Sequence, residues 1–212
     1  MKEQAIIVGA GTYGEVYAEY LKVNYEVVGF VDDNLSLIGQ FINGIEVLGN
    51  LDWLIDSVDR TIKIFIPIGN TRVKKKMLER VRQSGFSTPN FIHPSVNIDP
   101  SATVGNNAIY ILQGSIIMPL ATIENDVMIS SSTTISHHTI VEEGVFISFG
   151  VKVGASLRVK TCAYIGIGAI VMTGVKEVGV DSLIGAGAVI IKDVPDYAVV
   201  VGNPGKIIKY KE

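Results

Sequence analysis

Aliphatic residues recur every six positions through the second half of the chain. Counting in sixes from Ile123 meets Ile129, Ile135, Val141, Ile147, Val153, Val159, Ile165 and Val171, an unbroken row of Ile and Val. After one-residue slips the row extends upstream through Ile98, Val104, Tyr110 and Ile116, and downstream through Val178, Ile184 and Ile190. Four residues beyond many of these stands a second small or branched residue, such as Ala102, Thr133, Thr139 or Ala163. Period six matches neither the helical 3.6 nor the plain alternation of a strand. It predicts very short strands joined by tight turns, three to a triangular coil, each coil burying its aliphatics against the next. Sixteen such hexads make about five coils. Gly144, Gly154, Gly166, Gly168, Gly185 and Gly187 fall between the aliphatics, where turns demand unusual backbone angles.

Residues 1–92 carry no such period. Ala5–Val8 reads as a buried strand, and Gly9-Ala10-Gly11-Thr12-Tyr13-Gly14 follows it and opens a helix through Leu21. A second strand, Glu26–Val31, ends at Asp32-Asp33-Asn34, and Asn43-Gly44 signals a turn. A helix near Leu51–Val58 precedes a third strand, Ile62–Ile66, after which Gly69-Asn70-Thr71-Arg72 opens a basic helix through Gln83. Strands alternating with helices predict a small parallel sheet. The expected organisation is therefore α/β plus all-β: a small Rossmann-like parallel-sheet domain over 1–92, then a parallel β-helix over 93–212.

The first glycine loop sits where phosphate recognition requires it, after a strand and before a helix N-terminus. Asp32 lies 18 residues past Gly14, at a strand end where ribose hydroxyls are commonly read. A dinucleotide site needs two βαβαβ halves, and this region holds one, which disfavours an NAD dehydrogenase. A mononucleotide or nucleotide sugar fits the length better.

The hexads from 93 to 206, with the ending Val194-Pro195-Asp196-Tyr197-Ala198 through Asn203-Pro204-Gly205-Lys206, resemble the left-handed β-helix, hexapeptide-repeat acyltransferases. Joined to Gly9–Gly14, Phe30-Val31-Asp32-Asp33, Ile68-Gly69-Asn70-Thr71-Arg72 and Ile92-His93-Pro94-Ser95, the whole is similar to bacterial nucleotide-sugar N-acetyltransferases of surface-glycan assembly and the related sialic acid O-acetyltransferases. The left hand of the coil comes from that resemblance. So does a cytoplasmic homotrimer with active sites between subunits, taking acetyl-CoA as co-substrate and a UDP-amino sugar as acceptor. The resemblance implies substrate contacts at Gly9, Gly11, Thr12, Tyr13, Gly14, Asp32, Asp33, Gly69 and Asn70. It implies coenzyme contacts at Phe146, Gly150, Ile167, Gly185 and Lys206, with the Gly150 N–H as an oxyanion donor and Lys206 on the 3′-phosphate. His137 stands where the family carries its general base, and His138 stands where relatives carry an acidic residue. Phe146 replaces a second histidine of some relatives, and Ser130 an asparagine; Glu142 and Glu143 are candidates for the missing carboxylate, with a solvated turn residue the favoured reading of each. An imidazole suits the chemistry, because an amine attacking a thioester must lose a proton near neutral pH.

Composition narrows the remaining classes. The chain has 212 residues, 48 % of them hydrophobic and 18 % charged, which excludes intrinsic disorder. Mean hydropathy is +0.38, yet no apolar run approaches the roughly 20 residues of a spanning helix, and no signal peptide is expected. A net charge of −3 argues against a nucleic-acid partner. The single cysteine, Cys162, rules out an intrachain disulfide and suits a reducing compartment. Of three histidines, His93 lies far from the adjacent pair, so a three-histidine zinc site of the carbonic anhydrase kind is not expected and no metal is assigned. O-acetylation of a sugar hydroxyl and a non-catalytic β-helix scaffold remain the alternatives.

Overall fold

The computed structural model describes residues 2–212, and its contacts part the chain after Asn90. In the first unit, β1 (Glu3–Val8), β2 (Tyr25–Val31), β3 (Phe41–Ile42), β4 (Ile45–Gly49) and β5 (Lys63–Phe65) form one sheet in the order β3-β4-β2-β1-β5. All pairs are parallel except the β3–β4 hairpin. Asn43 and Gly44 turn that hairpin with φ of +49° and +78°, the left-handed pair that a two-residue loop needs. Helices α1 (Thr12–Leu21), α2 (Leu51–Ser57) and α3 (Thr71–Gln83) complete the unit. Ile6, Ile7, Phe30, Val31, Ile64 and Phe65 are wholly buried, as expected of central parallel strands covered on both faces.

The second unit is a left-handed β-helix of two-residue strands. Through its body each strand pairs in parallel with those three before and three after it, so that Thr134–Ile135 lies between Ile116–Ile117 and Lys152–Val153; at the end Ala198–Val201 pairs antiparallel with the last strand, Lys206–Tyr210. Three faces result, which the chain visits in turn. Face 1 runs from Asn97–Ile98 to Val189–Ile190, face 2 from Thr103–Val104 to Glu177–Val178, and face 3 from Phe91–Ile92 to Ala198–Val201. Phe91 and Ile92 pair with Tyr110 and Ile111, so the coil begins two residues before the expected 93. That strand and Ala198–Val201 extend face 3 at both ends, giving six coils where hexad counting gave five.

The inward row is fixed by stacking. Ile111 and Ile117, each no more than 1 % exposed, join Ile123, Ile129 and Ile135 in the core, whereas Ile116 is 42 % exposed. The one-residue slip therefore falls between Val104 and Ile111 rather than between Ile116 and Ile123. Tyr110-Ile111 and Ile116-Ile117 are apolar at both positions, so spacing alone could not choose the inward one. The glycines divide by purpose. Gly168 turns a corner at φ +65°, while a Cβ on Gly154 would stand 2.4 Å from the Thr173 nitrogen of the next coil. The second group serves close approach of coils, not the backbone angle.

One interior position is poorly matched. Ser182 is wholly buried and its hydroxyl has no hydrogen-bond partner among the described residues, whereas Ala163 occupies the equivalent site one coil earlier. An unpaired buried hydroxyl costs about 1–3 kcal/mol in desolvation. Ser182→Ala should therefore raise stability by about 1 kcal/mol in urea denaturation; an unchanged or lower stability would contradict this.

Candidate functional site

The C-terminal ends of β1 and β5 border the point where the strand order reverses, the usual ligand crevice of an open parallel sheet. The loops after these strands adjoin there. The Ile68 side chain lies 3.3 Å from where a Cβ on Gly9 would stand, and the Tyr13 ring lies 3.7 Å from that point on Gly69. The three motif glycines have separate reasons. Gly9 adopts φ +102°, which only glycine takes without strain. A Cβ on Gly14 would fall 1.9 Å from the Gly9 carbonyl oxygen, so Gly14 permits the helix to sit against the loop. Gly11 has ordinary extended angles, is exposed, and has nothing within 4 Å of its Cβ position. Neither backbone nor packing requires a glycine there; exposed beside the helix N-terminus with Thr12, it leaves room for a ligand.

The acidic pair does structural work. Both oxygens of Asp32 accept backbone N–H groups, from Ala10 and Asn34 at 2.8 Å each, tying the glycine loop to the end of β2. Asp33 accepts from the Leu51 N–H at 3.1 Å, at the start of α2. Asn70 caps α3 by accepting from the Val73 N–H at 3.1 Å. A carboxylate oxygen has a second lone pair, so a ligand hydroxyl can still be accepted by either aspartate.

On the β-helix, His137 and His138 occupy the edge between faces 1 and 2, and both are exposed. The Ser156 N–H donates to the His137 carbonyl at 3.0 Å, and the His138 N–H donates to the Pro119 carbonyl at 3.3 Å. His138 is left-handed at φ +59°, as are Leu120 and Ser156 at the same corner of the coils on either side. Thr139 secures the turn from below, donating its hydroxyl to the Gly154 carbonyl at 2.7 Å. The two rings meet edge to face, with Nδ1 of His137 3.0 Å from Nδ1 of His138. The backbone that carries them is thus pinned to both neighbouring coils.

The expected coenzyme residues lie elsewhere on the chain. Gly150, Ile167 and Gly185 line the edge between faces 3 and 1, so the full width of face 1 separates them from His137 within one chain. Ile167 is 53 % exposed, and Ile116, Ile170 and Met172 also show on this face and its borders. Lys206 opens the last strand and, with Lys192, Asp193 and Ile190, lines a cavity of about 300 Å³. Lys192 carries no sequence signal that separates it from a solvated lysine.

Two expectations need correction, and one pair of candidates is displaced. The Gly150 N–H donates to the Ser131 carbonyl at 3.0 Å, so it is committed to the coil ladder and does not serve as an oxyanion donor. Phe146 is 1 % exposed and stacks on Tyr164 with centroids 5.0 Å apart, a packing role rather than a coenzyme contact. The carboxylates of Glu142 and Glu143 belong to the edge between faces 2 and 3, not to the histidine edge. Glu142 accepts from Arg158 at 2.7 Å and from both the N–H and the hydroxyl of Thr161. Burial pushes its carboxyl upward, but the Arg158 and Thr161 hydrogen bonds and the Arg158 charge outweigh it and hold the group below its ordinary value. Ser130 is buried, and its carbonyl accepts the Ser115 hydroxyl. His93 bonds locally to Ser95 at 2.9 Å.

The lowered Glu142 value has a pH consequence. Its stabilisation is complete above 4.5, the ordinary glutamate value, and is lost as pH falls through the lower folded value. Glu142→Gln should cost about 1 kcal/mol near pH 7, measured by thermal melting, with the difference shrinking below roughly pH 4. A pH-independent difference would contradict this.

Among the described residues no group of acidic, histidine or cysteine side chains is placed to hold a metal, and no helix is long and apolar enough to cross a membrane. The fold and sites define a hexapeptide-repeat protein preceded by a nucleotide-type loop domain. Residues 4–81 match the family model of the PglD N-terminal domain. The acetyltransferase domain of PglB from Neisseria gonorrhoeae, solved with acetyl coenzyme A, is similar with a TM-score of 0.90 and 29 % identity, over 98 % of this chain and 100 % of that one. PerB from Caulobacter crescentus, solved with CoA and GDP-perosamine, is similar with a TM-score of 0.82 and 27 % identity, over 99 % of this chain and 98 % of that one. The GDP-perosamine N-acetyltransferase of Escherichia coli O157:H7 is 28 % identical over 96 % of this chain and 95 % of its own length. The chain spans about half the length of other curated relatives it matches, such as the Buchnera aphidicola serine acetyltransferase, 31 % identical over 65 % of this chain and 48 % of that protein. The N-terminal part is thus similar to the PglD N-terminal domain, and nearly the whole chain has the fold of hexapeptide-repeat proteins solved with acetyl coenzyme A or with CoA and GDP-perosamine.

Proposed function

We propose that this protein transfers acetyl from acetyl-CoA to the amino group of a nucleotide-linked amino sugar, as a cytoplasmic homotrimer serving surface-glycan assembly. The observation that carries this reading is an exposed imidazole on a rigid β-helix edge, in a chain whose other unit presents an open glycine loop at a nucleotide-type crevice. His137 takes a proton from the sugar amine as the nitrogen attacks the thioester carbonyl. The C–N bond forms, the C–S bond breaks, and the proton returns to the departing thiolate. A thioester already has a good leaving group, so no covalent enzyme intermediate is required. The acidic residues after β2 read ribose or base, the Gly11 loop faces the diphosphate, and Lys206 with Lys192 meets a coenzyme phosphate.

With Ile167 and Gly185 taken as coenzyme contacts, the separation of edges supports trimerisation. One chain cannot bring Ile167 and Gly185 to its own His137, because face 1 lies between them. A neighbour's edge can, and the exposed aliphatics of face 1 give it apolar surface to cover. The sequence resemblance favours UDP, whereas PerB and the Escherichia coli relative carry GDP-perosamine in their names. Thermal-shift measurements with UDP-, dTDP- and GDP-sugars distinguish these, since a ligand that binds only the folded state raises the melting temperature. Light scattering should give three chains per particle; a monomer that still acetylates would contradict the shared site.

A further inference from the structure

We propose that His138 is a positioning residue, accepting at its Nδ1 the Nδ1 proton of His137 so that the Nε2 lone pair of His137 is held as the base. This rests on the reading of His137 as general base. Two ring nitrogens 3.0 Å apart require one proton between them, so one ring donates and the other accepts. The donor keeps its lone pair at Nε2 and can take up a proton; the acceptor carries its own hydrogen at Nε2 and cannot. If His137 is the base, the direction is set. When His137 takes the proton during transfer, its Nδ1–H bond to His138 becomes charge-assisted and therefore stronger.

No carboxylate competes for this role. The corners directly above and below, Pro119-Leu120 and Ala155-Ser156, hold no titratable side chain. On face 1, the Lys152 ammonium donates to the Ser132 carbonyl and the Thr134 hydroxyl, at 3.0 and 3.1 Å. On face 2, Arg158 is paired with Glu142. The nearest ionisable residues in this row of corners are Asp99, whose carboxylate is bonded to Ser101, and Lys176, each two coils away and therefore about 10 Å off at the ordinary strand spacing, with Lys192 and Asp193 one coil further than Lys176. Each coil pins its own side of the pair, through the Ser156 and Pro119 backbone contacts, so the backbone that carries the two rings is held from both sides.

The left-handed backbone at His138 makes the test clean, because glycine, asparagine and aspartate all tolerate that conformation. His138→Gly removes the acceptor and should lower kcat about 10- to 100-fold, with KM for both substrates unchanged. His138→Asn and His138→Asp restore an acceptor and should recover most of kcat; the aspartate should also move the acid limb of the kcat profile to higher pH, because its charge favours the imidazolium. Nitrogen-15 NMR of the wild-type protein should show His137 as the Nδ1–H tautomer, lost in His138→Gly. Wild-type kcat in His138→Gly overturns the proposal. So does an asparagine variant as impaired as the glycine one, an Nε2–H tautomer at His137, or full activity in His137→Asn with none in His138→Asn. The tautomer measurement needs no substrate, so it decides this point even if the wild type transfers no acetyl group, an outcome that would sink the function alone.

Discussion

His137→Asn should lower kcat for acetyl transfer by about 10²- to 10⁴-fold, the range that a positioned general base contributes. KM for acetyl-CoA should change little, because the mutated ring touches the proton and not the coenzyme anchor. The fold should survive. The residue is exposed, its backbone carbonyl still accepts from Ser156, and surface changes of this kind stay within about 0.5 kcal/mol. Steady-state kinetics with unchanged thermal melting is the expected pair of results. A variant with wild-type kcat would remove the base from His137 and favour a scaffold that only binds.

The second large effect concerns stability and binding in opposite combinations. Gly14→Ala places a methyl group 1.9 Å from the Gly9 carbonyl oxygen, a separation that backbone atoms cannot keep. Alanine gains about 1 kcal/mol over glycine inside a helix, and forced overpacking costs about 1–3 kcal/mol or more. The contact here is with backbone, so the clash should win, with a net loss of about 2 kcal/mol in urea denaturation. Gly11→Asp behaves differently. Gly11 is the cap residue of α1, its angles are ordinary, and aspartate is among the preferred caps. Stability should hold or rise, while the added charge repels a diphosphate at the loop and weakens nucleotide-sugar binding by at least about tenfold. If Gly11→Asp binds as the wild type does, the loop is a packing turn and the crevice holds no nucleotide.

Much of this architecture was legible in the residues because both units carry strong local periodicity. Nine inward aliphatics at spacing six leave few other ways to bury them, and Gly9–Gly14 sits between a strand and a helix as its mechanism requires. What the chain hid was set by stacking at a distance of one coil. The engagement of the Gly150 N–H with Ser131, and of Glu142 with Thr161, joins residues about 19 positions apart that no local pattern couples. A partial signal was present, since Leu120, His138 and Ser156 share one left-handed corner at a spacing of eighteen, the residue count of one coil. Carrying that spacing along the chain puts Gly150 on a different edge from His138. The burial of Phe146 could not be read this way, because its outward position in the hexad normally faces solvent. Nor could the dual anchoring of Asp32, where a residue type suited to ribose recognition also holds the loop in place.

The proposed activity is tested most directly with labelled acetyl-CoA and a panel of UDP-, dTDP- and GDP-linked amino sugars, following product mass and release of the CoA thiol together. The expected result is N-acetylation of at least one nucleotide-linked amino sugar, with one thiol released per acetyl transferred and no reaction on the corresponding hydroxyl sugar. Thiol release without acetylated product, or acetylation only of a hydroxyl, would contradict it.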